Sequence, residues 1–184
     1  LLRDNVAQVV VLEMCTTPEG QALPAPVQVC IANTHLFWDP EYDDVKLWRT
    51  HMLLQELEKL TLHRRLPLIL CGDFNSVPGL AVHSLLSGNV RFGRRVALTP
   101  EQLPTDPARV LTPHVNRLTH GLFLGSAYQT VLGSECEYTN YTEHFKGCLD
   151  YIWFSAASAT PVAVLKVPSR ENLSKYSHSA LPNP

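Results

Sequence analysis

The sequence predicts an α/β domain, and three observations carry that prediction. Val- and Leu-rich runs of strand length recur at Val6–Met14, Val27–Ala32, Leu66–Cys71 and Leu149–Phe154. A long segment with helical spacing, Asp44 to about Leu62, separates the second run from the third. Ionisable and amide side chains collect where apolar runs begin or end, at Thr34-His35, at Gly72-Asp73-Phe74-Asn75 and at Asp150. Buried strands alternating with helices make layered α/β domains, which place their sites at strand ends.

Each element has a local reason. Val6–Met14 is rich in β-branched and aliphatic residues and short for a helix, so it reads as a buried strand. Thr16–Pro26, TTPEGQALPAP, holds three prolines and a glycine and reads as a loop between strands. Val27–Ala32 is the second strand, running through Asn33-Thr34-His35-Leu36 to a polar turn at Asp39-Pro40. In the helix, Leu47, Leu53, Leu54, Leu57 and Leu60 fall on one face, while Lys46, Arg49, Gln55, Glu56 and Lys59 fill the other. Asp43 or Asp44 is its expected cap. Leu66–Cys71 is the third strand, and Pro78 starts a short helix that ends near Leu86. Gly88–Leu118 carries four prolines and little periodicity, so it reads as a long loop. Leu149–Phe154 and Pro161–Val167 supply two more strands, and Pro168–Pro184 is expected to be irregular.

The 184 residues suffice for one domain with a core. With 45% hydrophobic and 17% charged residues, the balance is that of an ordinary globular protein. The net charge of -2 gives no global positive field to draw nucleic acid. An enzyme that holds a phosphate and a few nucleotides in a cleft needs none. The five cysteines, Cys15, Cys30, Cys71, Cys136 and Cys148, are odd in number and form no CxxC pair, so they suggest neither a zinc site nor a disulfide framework. Cys15, Cys30 and Cys71 lie in or beside strand-like runs, where a free thiol acts as a small core residue. A reducing compartment follows, cytoplasmic or nuclear. No apolar run reaches the roughly 18 residues that span a bilayer. The opening, LLRDNVAQ, has no methionine and no signal-peptide layout, as if cut from a longer chain.

Four residues stand out as candidates for chemistry. Asp73 and Asn75 follow an apolar strand, and on an extended backbone residues two apart point the same way. A carboxylate and an amide so placed can hold a hard divalent cation or its water and orient a nucleophile. An Asx-rich turn that only ends a strand is the plain alternative. His35 closes a strand of the same kind, where a neutral imidazole can donate to phosphoryl oxygens; a satisfied polar residue is the alternative. Asp150 opens the aromatic-rich strand LDYIWF, either as a cap or as a carboxylate that orients a histidine. Phe145, Trp38 and Pro40 lie in loops, placed to stack on bases or to pack on the core.

At these residues the chain resembles a known family. NTHLFWDPEYDDVKL, LILCGDFNSVPG and YTNYTEHFKGCLDYIWFS occur in the order and at the intervals of carbon-catabolite-repressor-type poly(A) deadenylases. These belong to the endonuclease/exonuclease/phosphatase superfamily, as do nocturnin and the Angel proteins. The blocks run from Asn33 to Ser155, about two thirds of the chain. GDFN is common to the superfamily; WDPEYDDVKL and YTNYT with FKG and DYI are narrower and point to the deadenylase branch. The resemblance implies a four-layer α/β sandwich with two magnesium ions (Mg2+) between its sheets. It implies metal and water handling by Asp73 and Asn75, phosphate contact by His35, and Asp150 as the aspartate of the DYI block. Pro40 and Phe145 match positions that pack on an adenine base, and Asn5, in RDNVA, matches a site-lining asparagine. The implied activity is a magnesium-dependent 3′–5′ exoribonuclease that shortens mRNA poly(A) tails and releases 5′-AMP. The implied partners are poly(A) RNA or another adenine-containing phosphoester and, through regions outside these residues, a deadenylation complex. No membrane is implied.

Two departures from the family pattern temper this expectation. The family carries a metal-binding glutamate on a strand before anything equivalent to Leu1, and a serine-aspartate-histidine block after a segment like Ser179–Pro184. His178 does not replace that histidine, because SHSALPNP resembles the lead-in to the block. The chain therefore reads as a single partial domain, its C-terminal part trimmed at both ends, expected to bind magnesium poorly alone. Two other functions compete. One is a related phosphoesterase: an NADPH phosphatase, a 2′,5′-oligoadenylate phosphodiesterase or a cyclic-phosphate phosphatase. The other is a catalytically degenerate RNA-binding or scaffold module.

Overall fold

The structure, a computed structural model, describes residues 5–17, 19–88 and 118–176. Strand β1 (Ala7–Thr16) turns through Gly20 into β2 (Ala22–His35), its antiparallel partner. A short 3-10 turn (Pro40–Tyr42) leads into helix α1 (Asp43–Leu62), which returns the chain to β3 (Leu68–Asp73), parallel to β2. Helix α2 (Ala81–Ser87) follows. Beyond it come β4 (Leu124–Ser126), α3 (Ala127–Leu132), the small pair β5 (Asn140–Tyr141) and β6 (Lys146–Gly147), β7 (Asp150–Ser155) and α4 (Arg170–Tyr176). The main sheet is mixed, in the order β1-β2-β3-β7-β4.

Residue parity along the ladder sorts the two faces. Cys30 pairs with Leu68, Ala32 with Leu70, and Leu70 with Trp153, so these side chains share one face. Against that face lie Leu47, Leu54 and Leu57 of α1 and Val82, Leu85 and Leu86 of α2, all essentially buried. Burial of each leucine contributes about 1.5–3 kcal/mol. Segment 118–122 is drawn along α1 by Gln55, whose amide donates to the Thr119 carbonyl at 2.8 Å, and by Glu58, which accepts from Gly121 N–H at 2.8 Å. The opposite face carries Ile31, Ile69, Cys71 and Ile152, none of them fully buried. Of the four layers the resemblance implies, the described residues form the main five-stranded sheet and the layer of α1 and α2 on one of its faces.

The α/β expectation holds, and several local readings are corrected. β2 begins at Ala22, inside the expected Thr16–Pro26 loop. The ladder jumps from Thr16↔Ala22 to Met14↔Val27, so Pro24 and Pro26 sit where their missing N–H groups cost no paired bond. Lys46, assigned to the polar face of α1, is 1% exposed. Neither Asp43 nor Asp44 caps α1: its N-cap is Tyr42, with no side-chain bond, and Asp39 instead caps the preceding turn by accepting from Glu41 N–H at 3.0 Å. β1, expected as a buried strand, is exposed along its whole length, and Cys15 within it is not a core residue. The expected strand Pro161–Val167 has no ladder; Val162 and Leu165 are exposed, and the segment is tied by the Tyr128 hydroxyl, which donates to the Leu165 carbonyl at 2.6 Å. The expected irregular tail contains α4, started by Ser169, whose hydroxyl accepts from Asn172 N–H at 3.2 Å. Most of the expected Gly88–Leu118 loop, His178 and Ser179–Pro184 lie outside the described residues. Among the described residues, no helix is long and apolar enough to cross a membrane.

Candidate active site

Three ionisable residues stand in one row on the face away from the helices. His35 at the end of β2 is the register partner of Asp73 at the end of β3, which in turn faces Asp150 at the start of β7. Neighbouring strands lie about 4.8 Å apart, so the row brings three groups within reach of a single small ligand. His35 Nε2 is 3.6 Å from Asp73 Oδ2, too long for a hydrogen bond, and the imidazole is 69% exposed. It is free to turn toward a ligand.

Asp73 is the least exposed of the three. Its Oδ1 accepts from Asn75 N–H at 2.8 Å, so the Asx turn foreseen as the plain alternative is present. The same carboxylate still presents Oδ2 to the row. Burial pushes the carboxyl above its usual range; the Asn75 N–H bond opposes that rise, and Asp150 adds to it, while His35 and Lys46 oppose it. Asp150 accepts through Oδ2 from the Thr139 hydroxyl at 2.6 Å, and that Thr139 oxygen accepts in turn from Leu149 N–H and Asp150 N–H. Thr139→Val removes the donor and both acceptances while preserving shape. We expect it to lower stability by about 1–1.5 kcal/mol in urea denaturation.

Asn75 reaches the site by another route than expected. The strand ends at Asp73, and Asn75 adopts φ 46, in the left-handed region, so the two residues do not share an extended backbone. Its Nδ2 donates to the Leu36 carbonyl at 2.8 Å, which leaves Oδ1 as the acceptor the amide has to offer. Asn5 also borders the row: its Nδ2 donates to the His35 carbonyl at 2.9 Å and its Oδ1 accepts from Arg49 at 2.8 Å. Pro40 and Phe145 are exposed and stand outside this bonded group. The Phe145 ring packs over Gly147, beside Val77. Trp38 is 69% exposed and lies against Phe37, with ring centroids 5.9 Å apart.

Sequence reasoning missed the support beneath the row. Tyr151, on the helix face of β7, donates to the Ser76 carbonyl at 2.7 Å and the Cys148 carbonyl at 3.0 Å, and burial pushes its hydroxyl pKa far up. Burial likewise pushes the Cys148 thiol up to about 12, so it is an inert core group. Among the described residues, no three His, Cys, Asp or Glu side chains close around a point as a complete metal site.

Comparison with known proteins agrees with this architecture. The profile of the Endonuclease/Exonuclease/phosphatase family matches residues 6–174. Carbon catabolite repressor protein 4 homolog 1 of Arabidopsis thaliana is 38% identical over the whole of this chain and 32% of its own length. The CCR4-Not complex 3′-5′-exoribonuclease subunit Ccr4 of Aspergillus niger is 32% identical over 94% of this chain and 28% of its own length. The chain thus spans about a third of these curated relatives. Among solved structures, ANGEL2, a 2′,3′-cyclic phosphatase, superposes with a TM-score of 0.53 at 24% identity, over 81% of this chain and 54% of that one. A profile that runs from the first strand into the last helix, on a sheet whose strand ends carry this row, means that the chain belongs to the endonuclease/exonuclease/phosphatase family.

Proposed function

We propose that the intact protein is a divalent-metal-dependent phosphoesterase that removes nucleotides from the 3′ end of poly(A) RNA and releases 5′-AMP. The observation that carries the reading is the row of His35, Asp73 and Asp150 across three adjacent strands, with Asn75 bonded to Asp73 beside it. The similarity to Ccr4 exoribonuclease subunits supports the choice of RNA.

The residues fit magnesium in part. Asp73 and Asn75 Oδ1 are hard oxygen donors, and the like charges of Asp73 and Asp150 are what a cation would relieve. They make an open set, which further ligands must complete. Bound there, the metal would supply Lewis-acid activation of water and neutralise charge at the phosphate. The remaining work falls to side chains of this chain. Asn75 orients the attacking water through Oδ1, and His35 donates to a phosphoryl oxygen. Asp150, held by Thr139, would orient the histidine of a serine-aspartate-histidine block in the intact protein. The exposed rings of Pro40 and Phe145 stack on adenine, a mode that selects a base without groove readout. The protein would act in the cytoplasm, or in the nucleus, within a deadenylation complex.

The test is an assay of the intact protein on a 5′-labelled RNA ending in adenosines, with magnesium and with a chelator, beside NADPH and a 2′,3′-cyclic phosphate end. Stepwise loss of 3′ adenosines that stops with the chelator is the expected result. Intact RNA with phosphate released from NADPH, or with an opened cyclic phosphate, would move the activity to another phosphoesterase. Inertness toward all three would leave an RNA-binding module.

A further inference from the structure

Lys46 is the most deeply buried charged residue among those described, at 1% exposure, on the α1 face packed against the sheet. A buried ammonium is costly unless each of its bonds is well made. Two are: Nζ lies 2.6 Å from Asp43 Oδ1, one helical turn earlier, and donates to the Asn75 carbonyl at 2.9 Å. Asn75 is held in a conformation that side-chain-bearing residues seldom adopt, and it is held from three sides. Its N–H bonds to Asp73, its Nδ2 to Leu36, and its carbonyl receives the lysine. The first two bonds come from the strand ends that bear Asp73 and His35. Only the third comes from the helical layer.

From this arrangement we infer that Lys46 is a positioning residue of the active site, locking the left-handed turn at Asn75 so that Oδ1 of Asn75 stays aimed beside Asp73. It touches no substrate. The inference rests on the reading of Asp73 and Asn75 as the reacting pair, and it assigns to α1 a part in that chemistry. An apolar residue would fill the same space at lower desolvation cost. The ammonium is retained at a backbone carbonyl that no other described side chain reaches.

Lys46→Met keeps the length and the apolar stem and removes the charge. In the intact protein, hydrogen–deuterium exchange should show the amides of Asn75–Val77 exchanging about tenfold faster, with those of β3 and β7 unchanged. On RNA ending in adenosines, kcat should fall about tenfold or more while KM stays within about twofold, since the turn acts on geometry and not on grip. Asp73→Asn, run in parallel, separates the two failures. If Asp73→Asn keeps full activity, the proposed function falls, and the exchange data alone decide on Lys46. Unchanged exchange across Asn75–Val77 overturns the inference whatever the activity does. Loss of protection throughout β3 and β7 also overturns it, since Lys46 would then be a general core residue. Faster loop exchange with unaltered kcat, beside an inactive Asp73→Asn, overturns it as well.

Discussion

Gly72→Ala is expected to destabilise the protein by at least about 3 kcal/mol, more than any other glycine substitution among the described residues. Gly72 sits one residue before Asp73, in the parallel ladder opposite Thr34, with φ 140. That dihedral lies in a region open to glycine and closed to residues with a Cβ. A Cβ built there would lie 1.8 Å from the Thr34 carbonyl oxygen and 2.9 Å from its carbonyl carbon. Both are backbone atoms of a paired strand, so no rotamer change relieves the contact. β2 and β3 must separate, or Gly72 must flip and take Asp73 with it. Gly133→Ala is the control: its φ is 83, but nothing lies within 4 Å of the added methyl. It should cost only about 1 kcal/mol. Urea denaturation of the two variants decides the matter, and equal losses would mean that dihedral strain alone, not the close approach to Thr34, governs Gly72.

Local causes are legible in the sequence, and tertiary ones are not. β3 and α1 were readable because spacing alone specifies them: LPLILC admits little but a buried strand, and the leucines of α1 repeat at helical intervals. The row of His35, Asp73 and Asp150 was readable as three separate strand ends. Its assembly was not, because register between strands 38 and 77 residues apart is a tertiary outcome. Lys46 was misassigned for a related reason. On a helical wheel it belongs with the polar residues, and the Asp43 carboxylate together with the Asn75 carbonyl makes its burial tolerable. Ser169 is different, since a serine beginning a Ser-Arg-Glu-Asn run was a usable helix start that composition masked. β4, α3, β5 and β6 are so short that tertiary pairing, not propensity, makes them.

Asp73→Asn should separate activity from stability and move them in opposite directions. The carboxylate is half-buried and faces Asp150, and burial, then that like charge, raises its pKa above the ordinary 3.8. Below pH 3.8 both folded and unfolded chains hold the proton, and Asp73 costs nothing. As pH rises past that value the unfolded chain releases its proton first, so the folded state loses stability until its own higher pKa is passed. At neutral pH the charge is therefore a standing cost, which asparagine removes while its Oδ1 still accepts from Asn75 N–H. Thermal melts in metal-free buffer should show the variant about 2–4 °C above the wild type at pH 7 and level with it near pH 3. In the intact protein, magnesium should raise the wild-type melting temperature and leave that of the variant unmoved. Turnover of RNA should fall about a thousandfold, the scale of losing several kcal/mol of charge stabilisation at the phosphate. A variant that melts lower than the wild type at pH 7 would mean that Asp73 serves the fold as a structural cap. One that melts higher yet keeps its activity would remove Asp73 from the reacting centre.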